Sequence, residues 1–530
     1  MNDYTAPTLT HRQIQIVFGS LMLGMLLAAL DQTVLATALP TIVGEFSGID
    51  HLSWVITSYL LTSTATVPLY GKLSDLYGRK LLFQISIVTF VIGSMLSGAA
   101  QSLDQLIIFR GLQGIGAGGI MTLAMAIVGD ILPPRERGRY MGYFGIVFAS
   151  SSIMGPLLGG LFVDHLSWRW VFYINVPLGV LSVFVASKVL KMKPAKRKVQ
   201  IDFLGAGLIA AAVSCILLAT TWGGNEHAWD SPTIVGLFGG GVLLFALFVL
   251  QESRAPEPIL PLSLFRNRVF STGNSITMIV GITMFGATAF LPLYMQVVKG
   301  VSATESGLHM LPMSFGAVTM SWFSGRMITQ TGRYKIFPIV GTSLLAAGMF
   351  MMSRIGENTS FLLISVQLAM LGCGMGLMMQ VVVLAIQNAV DYKDMGAATA
   401  STGFFRSMGG AFGVAIFGAV LTNRLNHFLP KYLTPEELAS VDTSQLRASP
   451  EVLRSLPADI HSGVIEAFAH SIDTIFLVAA PLALVALLMA IRLPELPLRS
   501  RAPQPKQADP GAASAGPEAE RIPAVAAMVD

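Results

Sequence analysis

The chain has 530 residues, of which 53% are hydrophobic and only 12% charged. A soluble domain carries about 25% charged residues, so a soluble protein is excluded and a polytopic membrane protein is expected. The formal net charge is +4, and the two cysteines, Cys215 and Cys373, fall in apolar runs and imply no disulfide framework.

Apolar runs long enough to span a bilayer recur fourteen times, at about 14–39, 52–70, 81–100, 106–131, 140–163, 170–188, 203–222, 233–250, 270–295, 306–325, 336–353, 360–385, 397–422 and 468–491. The first run would extend ~39 Å as a helix. No small-residue cleavage site accompanies it, so it reads as a retained span and not a signal peptide. It contains Asp31, roughly 13 Å below the outer end counted back from Pro40. An ionised, unpaired carboxylate at that depth costs several kcal/mol, and such residues by default face an interior cavity and handle protons or cations. The alternative is a structural aspartate hydrogen-bonded to a neighbouring helix.

After the second run comes Gly71-Lys-Leu-Ser-Asp75-Leu-Tyr-Gly78-Arg79-Lys80. A weaker copy follows the tenth run, from Gly325 to Lys335. Gly71 aligns with Gly325, Gly78 with Gly332 and Arg79 with Arg333, whereas Asp75 falls opposite Thr329. Two six-span halves, 1–198 and 266–498, joined by a linker with two extra spans at 199–265, explain this spacing.

The fourth run opens Arg110-Gly-Leu-Gln-Gly-Ile-Gly-Ala-Gly-Gly119. Glycine this dense lets helices approach closely. Arg110 lies at a depth similar to that of Asp31, and if the two helices are neighbours it would hold Asp31 ionised or release it on proton uptake. In the fifth run, Gly145 and Gly155-Pro156-Leu-Leu-Gly159-Gly160 combine a kinking proline with close-contact glycines. The aromatics that follow, Trp168, Trp170 and Phe172, fit an interfacial belt.

In the second half, Arg406 lies roughly 18 Å into the thirteenth run counted from Asp394 and needs a partner or a wet cavity. Glu305 with His309, and Glu466, His470 and Asp473 at i, i+4 and i+7, are outer-end groups that either line the substrate path or are solvated helix ends. A long loop at 425–467 carries Thr434-Pro-Glu-Glu437 and Ser449-Pro-Glu451, each an N-cap, first-turn proline and acid, and predicts two short surface helices. The tail at 499–530 has the composition of a disordered segment.

Charge placement fixes the expected orientation. With the N-terminus inside, the only basic residues in outer segments are Arg169, Lys299, Arg354, Arg424, Lys431, Arg447 and Arg454, and only Arg110 and Arg406 lie within spans. All the rest are inner, which predicts an even number of spans with both termini cytoplasmic. No Walker phosphate loop is present, so no ATP-hydrolysing module of that type is expected.

The Gly71–Lys80 loop resembles the signature loop of the major facilitator superfamily. The resemblance implies that Gly71, Asp75, Gly78 and Arg79 belong to a cytoplasmic network that latches one conformation. The Arg110 stretch is similar to the family's fourth-span arginine motif, which supports the Asp31–Arg110 pairing by analogy. Gly155, Pro156 and Gly159 resemble the antiporter motif of drug exporters, where a kinked helix seals the cavity. With fourteen spans and the Leu30–Pro40 opening, residues 14–425 and 468–498 resemble the fourteen-span drug:proton antiporters. One departure is Leu35-Ala-Thr37, where family examples carry an asparagine.

The resemblance implies an all-α membrane protein of the cell membrane. It would export amphipathic, cationic or lipid-like compounds against protons by alternating access, with Asp31 and Arg110 as the coupling pair. The lipid bilayer and a small-molecule substrate are its expected partners. Neither a cofactor nor a metal nor a nucleic acid is expected, and a monomer suffices. A narrow exporter of one lipid, siderophore or antibiotic is the alternative on the same fold. A membrane enzyme would need clustered catalytic or metal-binding side chains, and the eight histidines are scattered.

Overall fold

The computed structural model describes residues 11–46, 52–189, 202–224, 226–439 and 457–498. The first half consists of α1 (His11–Phe46), α2 (Leu52–Tyr77), α3 (Arg79–Gly98), α4 (Leu103–Ile131), α5 (Pro134–His165), the single turn α6 (Trp170–Tyr173) and α7 (Asn175–Val189). Two helices follow, α8 (Phe203–Trp222) and α9 (Pro232–Glu252). The second half holds α10 (Arg268–Ala289), α11 (Leu291–Val297), α12 (Ala303–His309), α13 (Leu311–Thr331), α14 (Ile336–Met352), α15 (Phe361–Ala389), α16 (Met395–Tyr432), α17 (Pro435–Ala439) and α18 (Ala458–Arg492). Ten helices among the described residues are long and apolar enough to cross a membrane; α2, α10, α13 and α14 fall outside that set.

Each half has its own core. Phe18, Phe83, Phe90 and Phe144 fill the first, and Phe270, Phe417 and Phe468 the second. Within the first half α1 packs on α5, and α4 on α2 and α3; within the second α10 packs on α16, and α15 on α13 and α14. The α8–α9 hairpin lies against α2 and α16.

The halves meet through α2 with α16 and through α5 with α13. The two repeat glycines make these contacts possible. A methyl at Gly71 would stand 2.8 Å from the Gly396 carbonyl oxygen of α16, and one at Gly325 would stand 2.6 Å from the Gly138 carbonyl carbon of α5. Real side chains essentially never pack that closely. The other aligned pair, Gly78 and Gly332, has φ of 96° and 73°, left-handed values that favour glycine at both chain reversals.

Several boundaries differ from those read off the sequence. The sixth run is broken at Ile174, between α6 and α7. The loop predicted at 425–467 is shorter, because α16 continues to Tyr432 and α18 begins at Ala458. The polar residues there, which hydropathy assigns to a loop, lie on helices that extend past the apolar runs. The first of the two surface helices is present as α17, where Thr434 N donates to Glu437 Oε2 (2.7 Å) and Glu437 N to Thr434 Oγ1 (3.4 Å). The second, at Ser449–Glu451, lies outside the described residues, as does the 499–530 tail. The fifth helix runs unbroken through Pro156.

Candidate functional site

Asp31 sits in mid-α1 and is fully buried. Arg110, on α4, donates from Nη1 to Asp31 Oδ2 at 2.7 Å. The other carboxylate oxygen, Oδ1, accepts from Gln113 Nε2 (2.7 Å) and Asn175 Nδ2 (2.9 Å). Arg110 also donates to Gln113 Oε1 (2.7 Å) and from Nε to the Val55 carbonyl (3.4 Å). Its guanidinium lies 4.2 Å from the Tyr59 ring centroid and 5.9 Å from that of Phe172. An uncompensated charge here would carry a large desolvation cost, and four helices contribute to compensating this one. Gln113 is one turn on from Arg110 and so shares its face. Asn175 opens α7 and also donates to Ser94 Oγ (3.0 Å).

Tyr59 is 2% exposed and is hydrogen-bonded to the side chain of Gln32, which is exposed although it follows Asp31 in mid-helix. On the far side, Thr33 Oγ1 donates to the Ser151 carbonyl of α5 (2.9 Å). Gly155 lets α5 approach Thr33 at backbone distance, and Gly159 is buried one turn further on.

A second charged cluster seals the end that carries the basic loops. Arg79 donates from Nε to Asp130 Oδ2 at 2.9 Å and is also paired with Asp75 and bonded to Ser74. Asp75 in turn accepts from the Gly396 amide (3.1 Å, Oδ1) and the Ala397 amide (3.0 Å, Oδ2). Those amides belong to the first turn of α16, where free N–H groups and the helix dipole favour an anion. Across the pseudo-repeat, Thr329 stands where Asp75 would be. There Arg135 of α5 supplies the link, donating to the Thr329 (3.0 Å) and Gln330 (3.2 Å) carbonyls. Arg333, the counterpart of Arg79, is exposed. At the opposite end, Trp168 Nε1 donates to Glu45 Oε2 (2.6 Å) and Arg169 pairs with Glu45 Oε1 (3.0 Å). These contacts hold the Glu45 carboxyl below the usual range.

The remaining candidate residues do not gather at one place. Glu305 closes a capping box with Ser302 at the start of α12. His309 does not pair with it but stacks on Phe361, with ring centroids 4.4 Å apart. Glu466 and His470 are exposed on α18, and His470 lies against Phe428 and Tyr432. Asp473, three residues further along, is half-buried beside Tyr294. Arg406 is half-buried in α16 and forms no ion pair or side-chain hydrogen bond among the described residues. Sequence reasoning missed Gln113, Asn175 and Asp130. Gln113 carried a signal, since it lies one turn from a buried arginine. Asp130 lies at the inner end of its apolar run, and the neutral Asn175 raises no contrast in sequence.

Two pseudo-repeated helical bundles, charge-latched at one end and with an ion pair buried inside one of them, define a membrane transporter. The chain belongs to the Major Facilitator Superfamily, whose family profile matches residues 21–414. It is 42% identical over 93% of its length, and 71% of the relative's, to an uncharacterised transporter of that superfamily from Mycobacterium tuberculosis. To the multidrug transporter protein MdtP of Bacillus subtilis it is 37% identical, covering 85% of this chain and 86% of the other. Among solved structures, the proton:xylose symporter XylE superposes with a TM-score of 0.59 over 92% of this chain and 97% of XylE; at 14% identity it shows the fold alone. The protein is thus a multi-pass transporter of the cell membrane and not an enzyme.

Proposed function

We propose that this protein is a proton-coupled exporter of amphipathic small molecules, with Asp31 as the proton-exchanging group. The observation that carries the reading is the Asp31–Arg110 pair, fully buried, with the Tyr59 ring 4.2 Å from the guanidinium and bonded to the exposed Gln32. Protonating Asp31 would free Arg110 from its counter-charge and repack Gln113 and Asn175, so the protonated and ionised forms favour different packings of the first half. The names of the curated relatives support export of drugs. We further infer fourteen spans with both termini cytoplasmic: α2, α10, α13 and α14 pack as members of the two bundles, and the skew of basic residues requires an even count.

The halves touch at the cytoplasmic end through Gly71, Gly138 and Gly325. On α16, Gly403 faces Val67 of α2 at 3.6 Å, while Val414, three turns outward on the same face, is 45% exposed. From that divergence we infer a cleft open to the outside. The test is accumulation of amphipathic dyes in inverted vesicles under an imposed pH gradient, with a panel of unrelated competitors. Gradient-dependent accumulation blocked by several chemical classes supports multidrug export; blockage by one class supports a narrow exporter; no gradient dependence contradicts the proposal.

A further inference from the structure

The second half carries a charge that no acidic side chain among the described residues neutralises. Arg406 has no carboxylate partner among the described residues, and its place on α16 tells where it points. Gly403, on the same helix, faces Val67 and Thr122 of the first half, and Gly409 and Gly413 lie against Met278 and Ile282 of α10. Arg406 falls between these two faces by helical rotation, so its exposed side opens into the cleft and not into lipid.

A second unsatisfied polar side chain stands at the same depth. The pairing of Met278 with Gly409 and of Ile282 with Gly413 sets α10 and α16 side by side in one direction, and the same step puts Arg406 level with Ser275. Its neighbour Asn274, one turn from Met278 and so on the face of α10 that meets α16, is 1% exposed, and neither its amide nitrogen nor its oxygen has a hydrogen-bond partner. Buried polar atoms are rarely left unmatched, and an unpaired guanidinium with an unpartnered amide at mid-membrane marks a place built for something that comes and goes.

The charge balance selects what that is. Asp31 has both oxygens engaged within the first half. Of the half-buried acids of the second half, Asp473 lies roughly 10 Å nearer the outer end and Asp394 roughly 18 Å nearer the start of α16, judged from the lengths of α16 and α18. We propose that Arg406, with Asn274, binds the anionic head group of an amphipathic substrate, a carboxylate, sulfonate or phosphate. The apolar part of the substrate would rest against the exposed Val414. A guanidinium offers a planar fork of donors to such a group, and in the cleft it repels organic cations. The cationic preference expected from the sequence leaned on Asp31, whose charge is spent on Arg110.

The proposal rests on the export reading above but is tested apart from it. Full-length protein in lipid nanodiscs is titrated with two probes that share a dansyl group and an octyl chain, one ending in a sulfonate and one in a trimethylammonium. Saturable binding of the sulfonate should be at least about tenfold tighter, and Arg406→Gln should weaken it about tenfold, with Arg406→Lys losing less. Asn274→Ala should weaken it as well, and carries the test should Arg406→Gln not fold. Tighter binding of the ammonium probe, absence of saturable sulfonate binding, or sulfonate binding within about twofold of wild type in every folded variant would overturn the assignment. Gradient-driven movement is then measured in proteoliposomes. If the sulfonate binds as expected but neither probe moves, the export reading falls and the anion site stands.

Discussion

Asp31 and Arg110 are stabilising only together. Removing one partner of a buried pair leaves a bare charge, so Arg110→Gln should destabilise the protein by about 3–5 kcal/mol, and the double substitution Asp31→Asn with Arg110→Gln should recover most of that. Thermal unfolding in nanodiscs, read as a double-mutant cycle, measures both. The Glu45–Arg169 pair is a control of the opposite kind. Its side chains are 45% and 33% exposed, so Glu45→Gln should cost less than about 1 kcal/mol in the same assay. At this scale the sequence was legible where a residue broke a pattern: an acid or an arginine inside an apolar run stands out. Neutral amides such as Gln113 and Asn175 raise no such contrast, and their part in holding the carboxylate comes only from helix adjacency. Arg333 aligns with Arg79, but Thr329 stands where the acid would be, and Arg333 is exposed with no ion pair among the described residues.

The helices reproduce the expected order because apolar runs of spanning length leave few alternatives in lipid. What the runs could not give were the ends: α16 and α18 carry polar outer turns that hydropathy assigns to a loop. The glycines at the interfaces separate two mechanisms. Gly332 has open space around it, so Gly332→Ala tests backbone conformation alone and should cost about 1–2 kcal/mol through the left-handed φ. Gly325→Val instead drives a side chain into the Gly138 carbonyl. It should push α5 and α13 apart at the end that carries the basic loops, seen as longer spin-label distances there and shorter ones at the opposite end. Unchanged distances would mean that this contact does not hold the halves together. The α8–α9 insert is tied to the signature loop by Lys72 Nζ and Glu257 Oε2 at 2.8 Å, a link between segments far apart in sequence that no local pattern announced.

Across the whole molecule, charged side chains mark three places: the cluster around Arg79 at the end with the basic loops, the sealed pair in the first half and Arg406, without an ion pair among the described residues, in the second. The two halves share ancestry in their loops but not in their interiors, for one contains a saturated carboxylate and the other an unsatisfied guanidinium. That asymmetry suits an exchanger in which proton and cargo use different halves and communicate through the latch. The most direct test is substrate-induced proton release from acid-loaded inverted vesicles, followed with a pH-sensitive dye, comparing wild type with Asp31→Asn at matched expression. The account predicts release on adding an amphipathic substrate in wild type and none in the variant, with substrate binding retained. Undiminished release by Asp31→Asn would contradict it.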